Sequence, residues 1–193
     1  MTEANLSTLA PPQPIPSRPL GELMPKGARA VIVGAVAAAL VVADVVRFGA
    51  TGWAYIGVVL CPALVLLASI DLQHRLLPNR IVLPTALVVL VVVAATQPGD
   101  LGMHLAAGIA LGSLFFAVGA FFPGSLGMGD AKLGLLLGLA LGSKTFVAVE
   151  IALLAVLIAA VWIIATQGMA ARKKTIPFGP FLALGGILGF FLG

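Results

Sequence analysis

Charged side chains are scarce in this sequence. They make up 9% of the 193 residues, whereas hydrophobic residues make up 61%, and the mean hydropathy is +1.16. A soluble domain carries about 25% charged residues, so this chain has too few polar groups to cover a water-facing surface. The composition excludes an ordinary soluble enzyme and predicts an integral membrane protein.

Cysteine is nearly absent, since Cys61 is the only one. A single cysteine excludes a disulfide within the chain and a zinc site built from several thiolates, and its place in an apolar run predicts an inert, buried thiol. The two histidines, His74 and His104, are distant in sequence and fall on opposite sides of the predicted membrane. We therefore expect no metal site and no other cofactor.

The sequence also lacks the alternation of polar and apolar residues that is typical of membrane β-barrels. Its apolar runs are unbroken, and most approach the roughly 20 residues that a helix needs to cross a bilayer. We predict an all-α, polytopic membrane protein with about seven transmembrane helices. The predicted spans cover residues 29–48, 53–70, 81–96, 102–122, 131–143, 145–166 and 176–192.

The boundary between the fifth and sixth spans depends on length. A single helix over residues 131–166 would be about 54 Å long at 1.5 Å per residue, well beyond the roughly 30 Å hydrocarbon core. We therefore place a break at Gly142-Ser143-Lys144.

The first 28 residues contain six prolines and little aliphatic content. This composition predicts a disordered cytoplasmic tail over residues 1–28 and a transmembrane domain over residues 29–193. The net charge is +4, but the positive residues lie in short loops, which is typical of the positive-inside rule rather than of nucleic-acid binding. With a cytoplasmic N-terminus, every lysine and arginine except Arg47 and Lys144 lies inside. We predict contact with the lipid bilayer and no nucleic-acid partner.

Two aspartates lie at the ends of predicted spans. Asp71 ends the second span and Asp130 begins the fifth, so both fall on the cytoplasmic side, although the sequence alone does not show that they touch. A carboxylate beside hydrocarbon costs roughly 2.5–3.5 kcal/mol on insertion scales, so it usually has a partner or a function. Two facing carboxyls that share a proton form the centre of an aspartic peptidase. We predict a membrane-embedded aspartic peptidase with Asp71 and Asp130 as its catalytic residues.

Structural explanations also exist for the polar residues near the spans. Asp130 would serve as the N-cap of the next helix, and Asp71 would pair with Arg75 at i+4. Lys132 lies two positions after Asp130, on roughly the opposite helix face, and we expect it to extend toward lipid headgroups. Asp44 is expected to pair with a nearby arginine, Arg47.

Glycine recurs every four residues in two predicted helices, which indicates close helix packing. These glycines are Gly134, Gly138 and Gly142 in the fifth span, and Gly185, Gly189 and Gly193 in the last. Gly108 and Gly112 have the same spacing in the fourth span, but we attribute that pair to the general abundance of glycine in membrane helices.

Three segments together resemble the type IV prepilin peptidase family. Asp71 is followed by Leu77-Pro78-Asn79, the sequence Gly-Met-Gly-Asp-Ala-Lys occupies positions 127–132, and Ile-Pro-Phe-Gly-Pro-Phe occupies positions 176–181. The similarity covers about residues 55–193. It implies an aspartic endopeptidase of the cytoplasmic (inner) membrane, which cuts the short basic leader from prepilins or pseudopilins at the cytoplasmic face.

The resemblance implies roles for individual residues as well. Asp71 and Asp130 match the catalytic pair. Residues of the three segments would bind substrate or support the site, and these are Gly127, Gly129, Pro78, Asn79, Pro177, Gly179 and Pro180. Gly127 and Gly129 also leave open space beside Asp130, which a peptide substrate would need.

Larger members of that family carry a cytoplasmic segment with paired cysteines and methylate the new N-terminus. With one cysteine and a short tail, this sequence resembles the peptidase-only forms that serve Flp-type pili. The resemblance therefore implies cleavage without methyltransferase activity, with pilus or secretion assembly proteins as further partners.

Two other functions fit parts of the sequence. Another intramembrane Gly-x-Gly-Asp peptidase, of the presenilin or signal-peptide-peptidase kind, would have Tyr-Asp at its first aspartate and Pro-Ala-Leu near its end, where this chain has Ile70-Asp71 and Ile-Pro-Phe-Gly-Pro. A membrane transporter or an assembly scaffold would use buried acids to relay protons or to bind a partner helix. No convincing internal repeat supports a transporter.

Overall fold

Regular secondary structure in the chain is helical wherever the computed structural model describes it, over residues 19–122, 126–168 and 177–192. This confirms the predicted all-α class. The elements are α1 (Leu20–Leu23), α2 (Ala28–Phe48), α3 (Gly52–His74), α4 (Asn79–Thr96), α5 (Leu101–Phe121), α6 (Met128–Leu141), a 3₁₀ turn (Gly142–Lys144), α7 (Thr145–Gln167) and α8 (Gly179–Leu192).

Five helical segments are long and apolar enough to cross a membrane: α2, α3, α4, α5 and the stretch Met128–Gln167, which includes α6 and α7. The predicted total of seven spans is therefore not confirmed. Helices α6 and α8 contain 14 residues each. At 1.5 Å per residue, 14 residues reach about 21 Å, less than the roughly 30 Å hydrocarbon core.

The predicted break between α6 and α7 is confirmed at Gly142. Its φ of 56° lies in the left-handed region, which glycine occupies at little cost. The Thr145 hydroxyl donates a hydrogen bond of 2.6 Å to the Gly142 carbonyl. Nδ1 of His104, a buried residue of α5, lies 2.8 Å from the Leu139 carbonyl oxygen. The first contact reinforces the 3₁₀ turn, and the second provides a side-chain partner for a carbonyl near the end of α6.

Helix α3 lies at the centre of the core and packs against α2, α4 and α8. Its buried side chains recur every three or four residues, which keeps them on the faces turned toward the neighbouring helices. The largest of them are Ile56, Leu60, Leu64, Leu67 and Ile70. Asp71 follows this series directly and therefore lies on a buried face of α3.

Glycines let α5 and α6 touch backbone to backbone. A Cβ at Gly138 would collide with the Cα and nitrogen of Gly108, and a Cβ at Gly112 would lie 3.1 Å from the Leu135 Cβ. The predicted close packing of α6 is confirmed at Gly134 and Gly138. Our attribution of Gly108 and Gly112 to general abundance is wrong, because the pair forms the other side of the same contact.

The last helix uses the same arrangement. A Cβ at Gly189 would lie 2.7 Å from the Ala148 Cβ, and one at Gly185 would lie 2.8 Å from the Ala152 Cβ. The predicted close approach is thus confirmed for these two glycines, and it joins α8 to α7. Gly193, the third of the predicted set, lies outside the described residues.

Aromatic rings pack at the end of the bundle opposite Asp71. Trp53 is the second residue of α3, and its ring stacks on Phe190 near the end of α8, with centroids 5.0 Å apart. The Lys144 ammonium lies 4.1 Å from the centroid of the Trp53 ring, a cation–π distance. Trp53 and Asp71 are separated by 18 positions, or about 27 Å along the helix.

Asp44 does not form the expected pair with Arg47. The Asp44 side chain is fully buried, and neither carboxylate oxygen has a hydrogen-bond partner in the described parts of the chain. It faces α3, where a Cβ at Gly57 would lie 2.5 Å from Oδ2. The Arg47 guanidinium instead lies 5.4 Å from the centroid of the Phe48 ring. The prediction is wrong because the two side chains face different neighbours.

The predicted tail lies mostly outside the described residues, which begin at residue 19. Its described part contains α1, in which Leu23 is 3% exposed. Disorder over residues 1–28 stays a prediction. Arg18 and the cluster 172–174, which contributed to the predicted orientation, also lie outside the described residues.

Candidate active site

Asp71 lies in the last turn of α3, and its side chain is 7% exposed. The helix ends because Arg75 adopts the left-handed conformation, with φ 50° and ψ 45°. The Arg75 N–H still donates to the Asp71 carbonyl at 2.8 Å. A left-handed residue other than glycine costs about 1–2 kcal/mol, and Arg75 is the one such residue in the described ranges. The chain therefore leaves α3 within one turn after Asp71.

Asp130 is the third residue of α6, so the expectation that it is the N-cap is wrong. Gly127 is the N-cap, and the helix begins at Met128. The Asp130 Oδ2 accepts a hydrogen bond of 3.0 Å from the Gly127 N–H. A carboxylate at this position satisfies a backbone donor that the helix leaves unpaired and interacts favourably with the positive end of the helix dipole.

The two aspartates line one cavity of about 320 Å³. Arg75, the C-cap of α3, lines the same cavity. The other lining residues come from the α3–α4 connection and from the start of α6, and they are Leu76, Leu77, Asn79, Gly127, Met128, Gly129 and Lys132. The fold thus brings together two carboxyls that are 59 positions apart in the sequence, 130 minus 71.

Helix α8 contributes to the site through its first residue. The backbone of Gly179 lies directly against the Asp71 carboxylate. A Cβ at position 179 would lie 2.6 Å from the Asp71 Oδ2, so only glycine fits here without displacing the carboxylate. Each aspartate therefore lies beside a glycine at the N-terminal end of a helix, Asp71 at α8 and Asp130 at α6.

The three prolines of the predicted site lie outside the cavity. Pro78 is buried and is the N-cap of α4, where its carbonyl accepts hydrogen bonds of 2.9 Å and 3.1 Å from two N–H groups of α4. Pro177 is half-buried and precedes α8. Pro180 lines a separate groove of about 520 Å³ between α2, α3 and α8. Of the predicted supporting residues, Asn79, Gly127 and Gly129 line the cavity, and Gly179 contacts Asp71 directly.

Lys132 lies in the cavity, and our expectation that it extends toward lipid headgroups is wrong. Its Nζ donates a hydrogen bond of 2.8 Å to Oδ1 of Asn79, the first residue of α4. The long side chain reaches this acceptor because the N-terminal ends of α4 and α6 lie side by side. One sequence signal could have placed Lys132 in the site: Lys132 and Asn79 both belong to segments that contain a predicted catalytic aspartate. We instead relied on helix periodicity, which places Lys132 on the opposite face of the helix from Asp130.

Gly129 lets the α3–α4 connection approach α6. A Cβ at this position would lie 2.9 Å from the Cβ of Leu77, which is itself 7% exposed. The Leu77 side chain therefore closes against the backbone beside Asp130. The described residues contain no group of three His, Cys, Asp or Glu side chains that could hold a metal ion.

Comparison with known proteins identifies relatives. The profile of the type IV leader peptidase family matches residues 58–165, a range that includes every residue lining the cavity. A Bacillus subtilis protein described as a prepilin leader peptidase/N-methyltransferase is 34% identical over 161 residues, which are 82% of this chain and 64% of that protein.

Two further relatives carry the same description. The Burkholderia pseudomallei protein is 34% identical over 177 residues, or 88% of this chain and 56% of that protein. The Xanthomonas campestris pv. campestris protein is 35% identical over 166 residues, or 80% of this chain and 55% of that protein. The chain thus spans 55–64% of the length of these curated relatives. No solved structure matches it significantly.

Proposed function

The chain belongs to the type IV leader peptidase family, and from this membership we propose that it is an aspartic endopeptidase that removes the leader from prepilins or pseudopilins. The observation that carries the proposal is the cavity shared by Asp71 and Asp130. The relatives are described as prepilin leader peptidases, which supports the same substrate class for this chain.

The proposed chemistry uses the two carboxyls as one unit. Two carboxyls in a poorly solvated site do not both ionise easily, so they hold one proton between them. The ionised member takes a proton from water as the water attacks the scissile carbonyl carbon, and the protonated member donates its proton to the carbonyl oxygen. When the peptide bond breaks, a proton passes to the leaving amine. Either aspartate can take either part in this scheme.

Neighbouring glycines restrict both groups for this reaction. The N–H of Gly127 donates to one oxygen of Asp130, and the backbone of Gly179 lies against Oδ2 of Asp71. Because a carboxylate is planar, holding one oxygen also limits where the second oxygen points. Groups that are oriented before the reaction need not reorganise during it, which favours catalysis.

The distribution of cations supports cleavage at the cytoplasmic face. Arg75 and Lys132 line the cavity at the Asp71 end, whereas Lys144 lies at the other end beside Trp53. Lysine and arginine are enriched in cytoplasmic loops of membrane proteins. We therefore orient this multi-pass membrane protein with the cavity and the N-terminus facing the cytoplasm, in the cytoplasmic membrane.

We also propose that the chain cleaves without methylating the product. The relatives' description includes N-methyltransferase. By the resemblance, the methyltransferase segment carries paired cysteines. The single cysteine here, Cys61, is buried in α3.

Co-expression with the prepilins of its own organism tests the function. We expect the wild type to shorten at least one prepilin at the junction between its basic leader and its apolar segment. The mass of the product should lack an added methyl group. The measurement is the intact mass of the membrane-extracted pilin, with and without the peptidase. If the protein accumulates normally and every prepilin stays at full length, the proposed function is wrong.

We expect Gly179→Ala to reduce cleavage by about 10²-fold, the loss that a displacement of about 1 Å causes in an active site. The new methyl group would lie 2.6 Å from the Asp71 Oδ2 and would push the carboxylate away. The matched control is Gly34→Ala in α2, where a Cβ meets no atom within 4 Å. Rates would be compared at equal membrane abundance, and equal rates for the two variants would contradict the placement of α8 against Asp71.

A further inference from the structure

Asn79 and Lys132 make a contact that the proposed chemistry does not use. The Lys132 Nζ donates to the Asn79 Oδ1 at 2.8 Å, and both residues line the cavity. The bond joins the first residue of α4 to the second turn of α6 across 53 positions of sequence.

General helix physics does not account for this contact. A lysine near a helix N-terminus is opposed by the helix dipole. At a membrane boundary its stem would normally extend so that the ammonium reaches water and headgroups. Here the ammonium instead binds the amide oxygen of a neighbouring helix, beside two carboxylates.

The bond is one of two contacts that flank Asp130. On one side of Asp130, Gly129 lies against Leu77. On the other side, Lys132 binds Asn79. Leu77 and Asn79 follow Asp71 by six and eight positions in the sequence, so the same short segment carries Asp71 and holds both flanks of Asp130.

We propose that Asn79 and Lys132 form a positioning pair that sets the separation of the two catalytic carboxyls. The pair holds the start of α6 against the start of α4, and Asp130 moves with α6. The ammonium also places a positive charge in a cavity that contains two carboxylates. This inference depends on the proposed peptidase function, because it assigns a role within that reaction.

Kinetics of leader removal test the pair. We expect Lys132→Met and Asn79→Ala each to lower kcat by about 10–100-fold, with KM changed less than about threefold, since misplacement acts on the chemical step. The double variant should be no slower than the slower single variant, because the two residues act as one unit. Lys132→Arg should recover most of kcat, since a guanidinium also donates to an amide oxygen.

The matched control is Arg80→Met. Arg80 follows Asn79 directly in the sequence and is also a cation, but it does not line the cavity. This variant should keep the wild-type kcat. A kcat for Lys132→Met within twofold of wild type would overturn the proposal. Losses in kcat that multiply when the two substitutions are combined would also overturn it. An effect confined to KM would overturn it as well, because it would make Lys132 a substrate-binding residue.

A cross-link gives a readout that needs no cleavage. Leu77→Cys with Gly129→Cys should form a disulfide on mild oxidation of isolated membranes once the two β-carbons, which would lie 2.9 Å apart, move out to the usual distance of about 3.8 Å. Adding Lys132→Met should slow that cross-link several-fold if the pair holds α6 in place. An unchanged cross-linking rate would overturn the inference whether or not the protein cleaves prepilins. If Lys132→Met slows cross-linking but the wild type cleaves no prepilin, the contact between α4 and α6 is supported and the proposed peptidase function is rejected.

Discussion

Asp71→Asn and Asp130→Asn should each reduce leader cleavage by roughly 10²–10⁴-fold, the contribution typical of a general acid or base. An asparagine has nearly the same shape as an aspartate, and at position 130 its oxygen can still accept the N–H of Gly127. The substitutions therefore remove one carboxyl of the proposed pair while leaving the local packing nearly unchanged. The measurement is the rate of leader loss by intact mass, at matched membrane abundance.

Asp44→Asn is the matched control for these two variants. Asp44 is also a buried carboxyl in an apolar helix, but it lies in α2 and does not line the cavity. We expect this variant to cleave at the wild-type rate. Substantial cleavage by either Asp71→Asn or Asp130→Asn would reject the two-aspartate mechanism. Equal loss in all three variants would indicate that buried carboxyls are needed for folding rather than for chemistry.

Gly138→Ala should reduce the amount of folded protein in the membrane more than any other single methyl group added to α6. The new Cβ would collide with the Cα and nitrogen of Gly108 and with the Ala107 carbonyl carbon. These are backbone atoms, so no side chain can rotate away and the two helices must separate. Overpacking a core costs typically about 1–3 kcal/mol. We expect a loss at the upper end of this range or beyond.

The thermal midpoint of the detergent-extracted protein measures this effect. Gly102→Ala in α5 is the matched control, because a Cβ there meets nothing within 4 Å. Replacing a helical glycine by alanine without a clash stabilises a helix by roughly 0.5–1 kcal/mol. The two substitutions should thus shift the midpoint in opposite directions. Equal shifts would contradict the backbone contact between α5 and α6.

Composition and motif order were sufficient to predict the helical membrane class, the break near Gly142 and the two aspartates of the site. The reason is that these features depend on local chemistry. A chain with 9% charged residues needs an apolar solvent, and in that solvent the backbone must satisfy its own hydrogen bonds, which long apolar runs can do only as helices. The break followed from comparing a helix length with the thickness of a bilayer.

Only the packed structure shows which residues each side chain contacts. Lys132 contacts Asn79 across 53 positions, and Asp44 faces Gly57 rather than Arg47, which is only three residues away. Gly108 looked like an ordinary membrane glycine, yet it is half of the contact with Gly138. Helix periodicity gives the relative directions of side chains on one helix, but not how that helix is rotated against its neighbours. That rotation is set by close packing between segments that are distant in the sequence, and it determines which polar groups line the cavity.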